Sequence, residues 1–259
     1  DMGLIGAWLG TLHYGVPTVI MPPLAFLADP GRWLRAMGRH RATLSAAPNF
    51  AFELCCKNVR DEDIEGLDLS SLRMLVNGAE PVSPATIAHF AARFAKYGFP
   101  TKAMAPVYGL AENSVGLTFP PVGRGPIVDR VQRSALSRDG KARTAQPEDT
   151  TALEFLACGR PIAGHEVRIV DEAGVELPER IEGRLQFKGP AATRGYFRNE
   201  ETTKALFDGE WLESGDRAYI AAGDVFITGR IKDMIIKAGR NIYPHELEEL
   251  VGGVEGVRK

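Results

Sequence analysis

The sequence predicts an α/β protein: a mostly parallel sheet subdomain, then a small β-barrel-like subdomain, then the start of a separate C-terminal α+β domain. Three observations predict it. Between residues 29 and 108, short apolar runs of strand length alternate with stretches of helical period, the pattern of a parallel sheet with crossover helices. After Leu156 the apolar runs become short and alternating, with Gly and Asp turns between them. Beyond Met234, a turn containing Gly239 leads to a helix opened by Pro244. The expected organisation is 1–155 for the α/β body, 156–233 for the β-rich part and 234–259 for the opening of the last domain. Within the body, about 120–151 forms an insertion.

Taken in order, Met2 to Leu12 reads as a helix, and Thr18 to Met21 as a buried strand stopped by Pro22 and Pro23. Asp29-Pro30 reads as an N-cap with proline at the first helical position, followed by Trp33, Leu34 and Met37 at helical spacing. A helix over Phe50 to Lys57 comes next, then a strand from Arg73 to Val76 before a turn at Gly78. Ser83-Pro84 opens an amphipathic helix to about Tyr97, and Ala103 to Tyr108 reads as a strand. From Pro120 to Thr151, Gly, Pro, Arg, Asp and Gln crowd the chain and apolar periodicity nearly vanishes. That composition fits an exposed loop, but its length suits an inserted functional element equally. Strands are expected over His165 to Val170 and Arg184 to Phe187, with a turn at Asp171 to Gly174. Asn199 caps a short helix, and WLESGDRAYI and VFITGR form a strand pair, with Ser214-Gly215-Asp216 as a tight turn.

Composition narrows the function classes. The chain has 259 residues, with 31 basic against 33 acidic side chains. That near-neutral balance carries no electrostatic footprint for nucleic acid or an anionic membrane. Three cysteines, two of them adjacent (Cys55 and Cys56), suit a reducing cytosolic setting and buried structural thiols better than a disulfide framework. The start carries no basic n-region or cleavage site, so no signal peptide is read. Gly, His and Pro interrupt the apolar opening, which argues for a core segment over a membrane span. His13 is expected to be a core histidine. The opening, with Gly6 and Gly10 near Trp8, suits either core packing or the wall of an alkyl channel. The abrupt beginning and the VEGVRK end predict a piece of a longer chain.

No HExxH, zinc-type cysteine pairs or GxSxG occurs. GRPIAGHE, Gly159 to Glu166, approximates a phosphate loop but lacks its lysine and hydroxyl, so it is read as a decoy. YGLAE, Tyr108 to Glu112, follows directly on a predicted strand. There an aromatic face can stack on adenine and a carboxylate can hold Mg2+ on phosphates. NGAEP, Asn77 to Pro81, ends another strand and leaves backbone groups open to a flat ring. Asp216 can accept from sugar hydroxyls, and Arg230 can reach the same ring or a phosphate. Singly, each of these motifs reads as an ordinary turn or a solvated ion pair.

Together, YGLAE, SGD, GRIKD and KAGRNIYPHELE resemble the adenylate-forming superfamily of acyl-CoA synthetases, peptide-synthetase adenylation domains and luciferases. Helped by DMGLIG, APNFAFELC and the 120–151 element, the chain looks most like the fatty acyl-AMP ligases. The resemblance implies ATP and Mg2+ as cofactors, with Tyr108 and Gly109 at adenine, Glu112 as the catalytic carboxylate for the metal, and Gly78, Ala79 and Glu80 lining the adenine pocket. Asp216 and Arg230 would hold the ribose, Asp233 would be a hinge, and Lys237 and Gly239 would belong to the loop serving a second half-reaction. Ala111 departs from the more usual YGxTE, in the manner common among acyl-AMP ligases. GRLQFKGPAATRGYF, Gly183 to Phe197, would be structural. VDRVQRSAL, Val128 to Leu136, resembles an insertion thought to restrain the domain rotation that CoA thioesterification needs. The implied activity is ATP-dependent conversion of a fatty acid to acyl-AMP with release of pyrophosphate, followed by transfer to an acyl carrier protein. The family's phosphate loop and C-terminal catalytic lysine would lie before residue 1 and after residue 259, so these residues alone are expected to be inactive. The alternatives are a fatty acyl-CoA ligase, with CoA as acceptor, a non-catalytic nucleotide- or acyl-binding remnant, and a structural protein without ligand.

Overall fold

The computed structural model describes residues 2–237, 240–244, 247, 248, 251, 254 and 257. The chain divides into two compact units, the first of residues 1–127 and 156–160, the second of 128–155 and 161–259.

The first unit opens with π-helical Met2–Leu9, which runs into α1 (Gly10–Tyr14) and stops where Gly15 turns left-handed. The buried strand expected over Thr18 to Met21 does not form. That segment has no regular structure, and Val19 and Ile20 are exposed. Its apolar residues meet no partner strand among the described residues, and a strand without a ladder has nothing to hold it. His13 is exposed too, edge-on to Tyr14, which corrects its reading as a core residue.

Next come α2 (Pro23–Ala28) and α3 (Gly31–Arg39). Asp29 does not cap α3. Its carboxylate pairs with Arg35, one turn in, and the helix starts a residue later than expected. The strands β1 (Leu44–Ala47), β2 (Met74–Asn77) and β3 (Met104–Pro106) form a parallel sheet in the order β1-β2-β3. The crossovers carry α4 (Asn49–Asn58) and α5 (Pro84–Phe94). Ser83 caps α5 by accepting from the Thr86 N–H at 3.4 Å. β1, Leu-Ser-Ala-Ala, was not anticipated, because its two alanines and serine carry little strand signal. Phe52, Phe90, Phe94 and Phe99 pack edge-on or tilted at 4.6–5.2 Å between neighbouring centroids, each pair adding about 0.5–1.5 kcal/mol beyond area burial. Cys55 lies inside this core and burial pushes its thiol well up. Cys56, at its edge, is pushed up to about 11, chiefly by burial.

Beyond β4 (Thr118–Phe119), the 120–151 stretch proves ordered. β5 (Val128–Val131) pairs with β6 (Leu153–Leu156), and α6 (Arg133–Asp139) lies between them in sequence. Val131, Leu136 and Ala142 are fully buried. The Arg130 guanidinium donates to the Pro147 and Asp149 carbonyls at 3.0 and 2.7 Å, closing the long excursion with one side chain.

After the two-residue β7 (Arg160–Pro161), an antiparallel sheet is built from β8 (Glu166–Val170), β9 (Gly183–Lys188), β10 (Phe207–Asp208), β11 (Trp211–Ala221) and β12 (Asp224–Arg230). It runs β10-β11-β9-β8, with β12 also on β11, and curls as a half-barrel. The Asp171 turn forms as expected, its carboxylate accepting from the Ala173 and Val175 N–H groups at 2.9 Å. Asn199 caps α7 (Glu200–Leu206) through the Thr202 N–H at 3.1 Å. Burial, with Asp129 beside it, pushes the Tyr219 phenol well up. Its hydroxyl donates to Asp129 of β5 at 2.9 Å. A short hairpin follows, β13 (Ile235–Lys237) with β14 (Arg240–Ile242). Among the described residues no helix is long and apolar enough to cross a membrane.

Candidate functional site

In the first unit the candidate residues stand at the ends of parallel strands, where the backbone ladder runs out and loops begin. β2 is buried throughout and releases the chain at Gly78. A Cβ there would come within 2.9 Å of the Val107 side chain and 3.2 Å of its carbonyl oxygen, so the loop leaves β2 pressed on β3's extension. Ala79 takes a positive φ of 72°, at a cost of roughly 1–2 kcal/mol for an L-residue. The Glu80 carboxylate turns back and accepts from the Phe50 N–H at 2.6 Å, filling one orphan donor at the start of α4.

Tyr108 lies just past β3. Its backbone bridges Thr118, with the Thr118 N–H donating to the Tyr108 carbonyl at 2.9 Å, and its side chain is buried. Gly109 admits no side chain, since a Cβ would fall 1.9 Å from the Val115 carbonyl oxygen. The loop between is a single 3₁₀ turn, Ala111–Asn113, held by the Asn113 amide on the Gly116 carbonyl at 2.8 Å. Glu112 is half-buried on that turn. The structure thus brings Tyr108, Gly109 and Glu112 into one tight loop, and Gly78, Ala79 and Glu80 into another at the neighbouring strand end. GRPIAGHE leads into strand β8 and opens no helix, so the helix N-terminus that a phosphate loop uses is absent from it.

In the second unit, Ser214-Gly215-Asp216 is not the expected turn. It is a bulge inside the eleven-residue strand β11, whose pairing with β9 jumps from Glu213↔Gln186 to Arg217↔Arg184. The reason is pairing. β10 covers Trp211 and Leu212, β12 covers Asp216 to Ala221, and the strand continues past the slack between them. The Ser214 hydroxyl donates to the Leu185 carbonyl at 2.8 Å and accepts from the Asp216 N–H at 3.0 Å, while Gly215 supplies a φ of 79°. This sets Asp216 directly opposite Arg230, with Nε 3.7 Å from Oδ1. Asp216 is mostly buried, whereas the Arg230 side chain is 63% exposed and can swing onto an anion or a ring. Asp233 is exposed in the 3₁₀ turn Ile231–Asp233 after β12. Lys237 lies in β13, in register with Arg240. Gly239 falls outside the described residues.

The AMP-binding enzyme family matches residues 1–197. The chain belongs to that family. It is 36% identical over 264 residues to the medium-chain-fatty-acid–[acyl-carrier-protein] ligase TtuA of Teredinibacter turnerae, covering 96% of this chain and 41% of that protein. It is 37% identical over 272 residues to the 4-hydroxyphenylalkanoate adenylyltransferase of Mycobacterium tuberculosis, covering 100% of this chain and 43% of the other. Among solved structures, one from a study of fatty acyl-adenylate ligases of E. coli and L. pneumophila matches all of the chain with a TM-score of 0.95 and 34% identity, over 47% of its own length. The L. pneumophila ligase in complex with acyl adenylate and pyrophosphate matches 90% of the chain, and 42% of that structure, at a TM-score of 0.85 and 32% identity. The chain therefore spans less than half the length of these relatives.

Two features of this family member escape the motif reading. Asn49, the first residue of α4, is buried and bonded to β2 and to the start of α5, and nothing in its local sequence marks it out. Tyr243 is almost fully buried, with its ring 6.0 Å from Phe155 and its hydroxyl donating to buried Glu182 at 3.2 Å. Tyrosine before the proline that opens a helix gives no sign of such an anchor.

Proposed function

We propose that the intact protein activates a fatty acid at the α-phosphate of ATP. A carboxylate oxygen attacks the α-phosphorus, the bond to the bridging oxygen of pyrophosphate breaks, and pyrophosphate leaves with the electron pair. The product is acyl-AMP, a mixed anhydride reactive enough for a thiol. What carries this reading is the match of the whole chain, the 128–155 element included, to a fatty acyl-adenylate ligase structure.

In this reading Tyr108 and the Gly78–Glu80 loop hold adenine. Asp216 accepts from the ribose hydroxyls and Arg230 adds a cationic donor, so the attack is oriented before it begins. Glu112 is the carboxylate offered to Mg2+. One or two carboxylates plus substrate phosphates is how Mg2+ is usually held, and Glu112, a half-buried carboxylate on the 3₁₀ turn beside Tyr108, fits that donor set. When bound, the ion would supply charge neutralisation on the phosphate oxygens. Asp233 serves as a hinge, and Lys237 and Gly239 belong to the loop of the second half-reaction, in which a phosphopantetheine thiol of an acyl carrier protein displaces AMP. The 120–151 element disfavours CoA as acceptor by restraining the chain beyond Asp233. The packing of α6 against β14 supports that restraint.

A second reading, a fatty acyl-CoA ligase, is favoured by 36% identity over 249 residues to a putative acyl-CoA synthetase of Caulobacter vibrioides. The test uses the full-length protein with ATP, Mg2+, a labelled medium-to-long fatty acid and excess CoA. Acyl-AMP that persists, and is consumed when a carrier protein with its phosphopantetheine arm is added, is the expected result. Rapid conversion to acyl-CoA would replace it with the second reading.

A further inference from the structure

The loop after β2 is fastened to one place, the first two residues of α4, at three separate points. At its near end, the Asn77 amide donates to Asn49 Oδ1 at 3.3 Å. In its middle, Glu80 accepts from the Phe50 N–H at 2.6 Å. At its far end, the Ser83 N–H donates to the same Asn49 Oδ1 at 3.2 Å. Asn49 is itself held from behind, donating to Glu53 Oε1 at 3.2 Å and to the Thr86 hydroxyl at 3.3 Å, while that hydroxyl donates to Glu53 at 3.0 Å. Asn49, Asn77 and Thr86 are all buried.

For stability alone this network is a poor solution. The Asn77 side-chain oxygen is buried with no hydrogen-bond partner among the described residues, which costs about 1–3 kcal/mol. An apolar residue of similar size at 77 would avoid that cost. The loop it secures carries Ala79 at a positive φ, a conformation that relaxes unless its surroundings over-determine it. Three bonds to a rigid helix start do over-determine it.

We infer that Asn49 is a positioning residue: together with the start of α4, it clamps Gly78–Glu80 in the conformation that receives the adenine ring. The inference rests on the proposed adenylation reaction and adds to it that nucleotide affinity is set from behind the loop, by a helix whose side chains need not touch the nucleotide. Removing the Asn49 side chain frees both ends of the loop together. A displacement of the order of 1 Å in a positioning element costs up to about a hundredfold in rate.

The test uses the full-length protein and three variants, Asn49→Ala, Asn77→Val and Thr86→Val, with Kd for AMP, KM for ATP, KM for the fatty acid and Tm measured on each. Thr86→Val removes one of the bonds that hold Asn49 from behind but leaves all three loop attachments in place, so it grades the clamp against lost stability. Asn49→Ala is expected to raise the AMP Kd and ATP KM about tenfold, with the fatty-acid KM unchanged. Thr86→Val should lower Tm as well and raise those constants by less than Asn49→Ala does. Asn77→Val should weaken AMP binding several-fold with Tm unchanged or raised, which a purely structural role would not produce. If the wild-type protein binds AMP and all three variants bind it equally well, the clamp is overturned while the adenylation reading stands. If the wild-type protein binds no AMP, the adenylation reading fails with it. Should Asn49→Ala fail to fold, Asn77→Val decides alone.

Discussion

The strand-end loops of the first unit and the bulge of the second solve the same problem, holding a polar group still, by different means. Past β2 and β3 the parallel ladder has ended, so side chains and backbone crowding must do the holding: Glu80 on the Phe50 N–H, Gly109 against the Val115 carbonyl. In β11 the ladder resumes past the bulge, and register, with the Ser214 hydroxyl bridging the slack, sets Asp216 opposite Arg230. The first arrangement is close-packed at Gly78 and Gly109 and intolerant of volume there. The second is half in water and tolerant of it, since Gly215 has nothing within 4 Å of where a Cβ would stand. Added volume in the loops should therefore cost stability and activity together, whereas substitutions at the bulge should separate them.

Gly109→Ala is the strongest way to break that contrast. Its Cβ would overlap a backbone oxygen that belongs to the same tight loop and has no room to retreat. The expected loss is about 3 kcal/mol or more of unfolding free energy, with adenylate formation lost alongside. A denaturant midpoint unchanged from wild type would show that the loop is looser than its geometry implies.

Asp216→Asn comes second and should show the opposite split. An ion pair with one partner largely exposed contributes only about 0–1 kcal/mol to stability, so the melting temperature should barely move. A hydrogen bond from a sugar hydroxyl to an ionised carboxylate is worth roughly 1.5–3 kcal/mol, about ten- to a hundredfold in ATP KM or in pyrophosphate exchange. Equal losses in stability and exchange would make Asp216 a structural residue of the sheet.

Much of this contrast was legible in the sequence. NGAEP and YGLAE stood out because each sets a glycine at a predicted strand end, whereas the Glu80 acceptor on the Phe50 N–H and the crowding at Gly109 came only with the structure. The bulge was misread because Ser-Gly-Asp is also good turn chemistry. Only the pairing of β9, β10 and β12 with one long strand shows that the chain does not reverse there. The same holds for Asn49 and for the apolar opening. Whether a polar residue is buried, or an apolar run is covered, depends on elements distant in sequence, and local pattern carries no record of them.

The partly buried thiol on α4 has a pH signature. Cys56 on α4 is pushed up to about 11 by burial, while Arg93 pulls it down and Glu53 pushes it up. Its folded pKa lies above its unfolded value near 9, so its contribution is intact below pH 9 and is lost as pH rises from 9 through 11. Partial exposure discounts the shift to something on the order of 1 kcal/mol. Unfolding free energies measured at pH 8 and 10.5 should converge between wild type and Cys56→Ala once the thiol's share is gone. Parallel pH profiles for the two proteins would place Cys56 in water.

The smallest effects give the sharpest comparison, because one backbone conformation occurs in both regions with opposite residues. Ala79 sits at φ 72° in the loop, and Gly215 sits at φ 79° in the bulge. Glycine accepts that region freely and alanine pays about 1–2 kcal/mol for it. Ala79→Gly should therefore stabilise by about 1 kcal/mol, less the few tenths lost to a more flexible unfolded chain, and Gly215→Ala should destabilise by a similar amount. Function should not follow stability in the loop. Glycine at 79 removes the strain but also widens the conformations open to a segment fastened at Asn77, Glu80 and Ser83, so AMP affinity should fall a few-fold as Tm rises. At 215 the ladder on either side keeps Asp216 in place, so Tm should fall and ATP KM should hold. If both swaps moved affinity in step with Tm, the two regions would be holding their polar groups by the same means, and the distinction between side-chain clamp and strand register would dissolve.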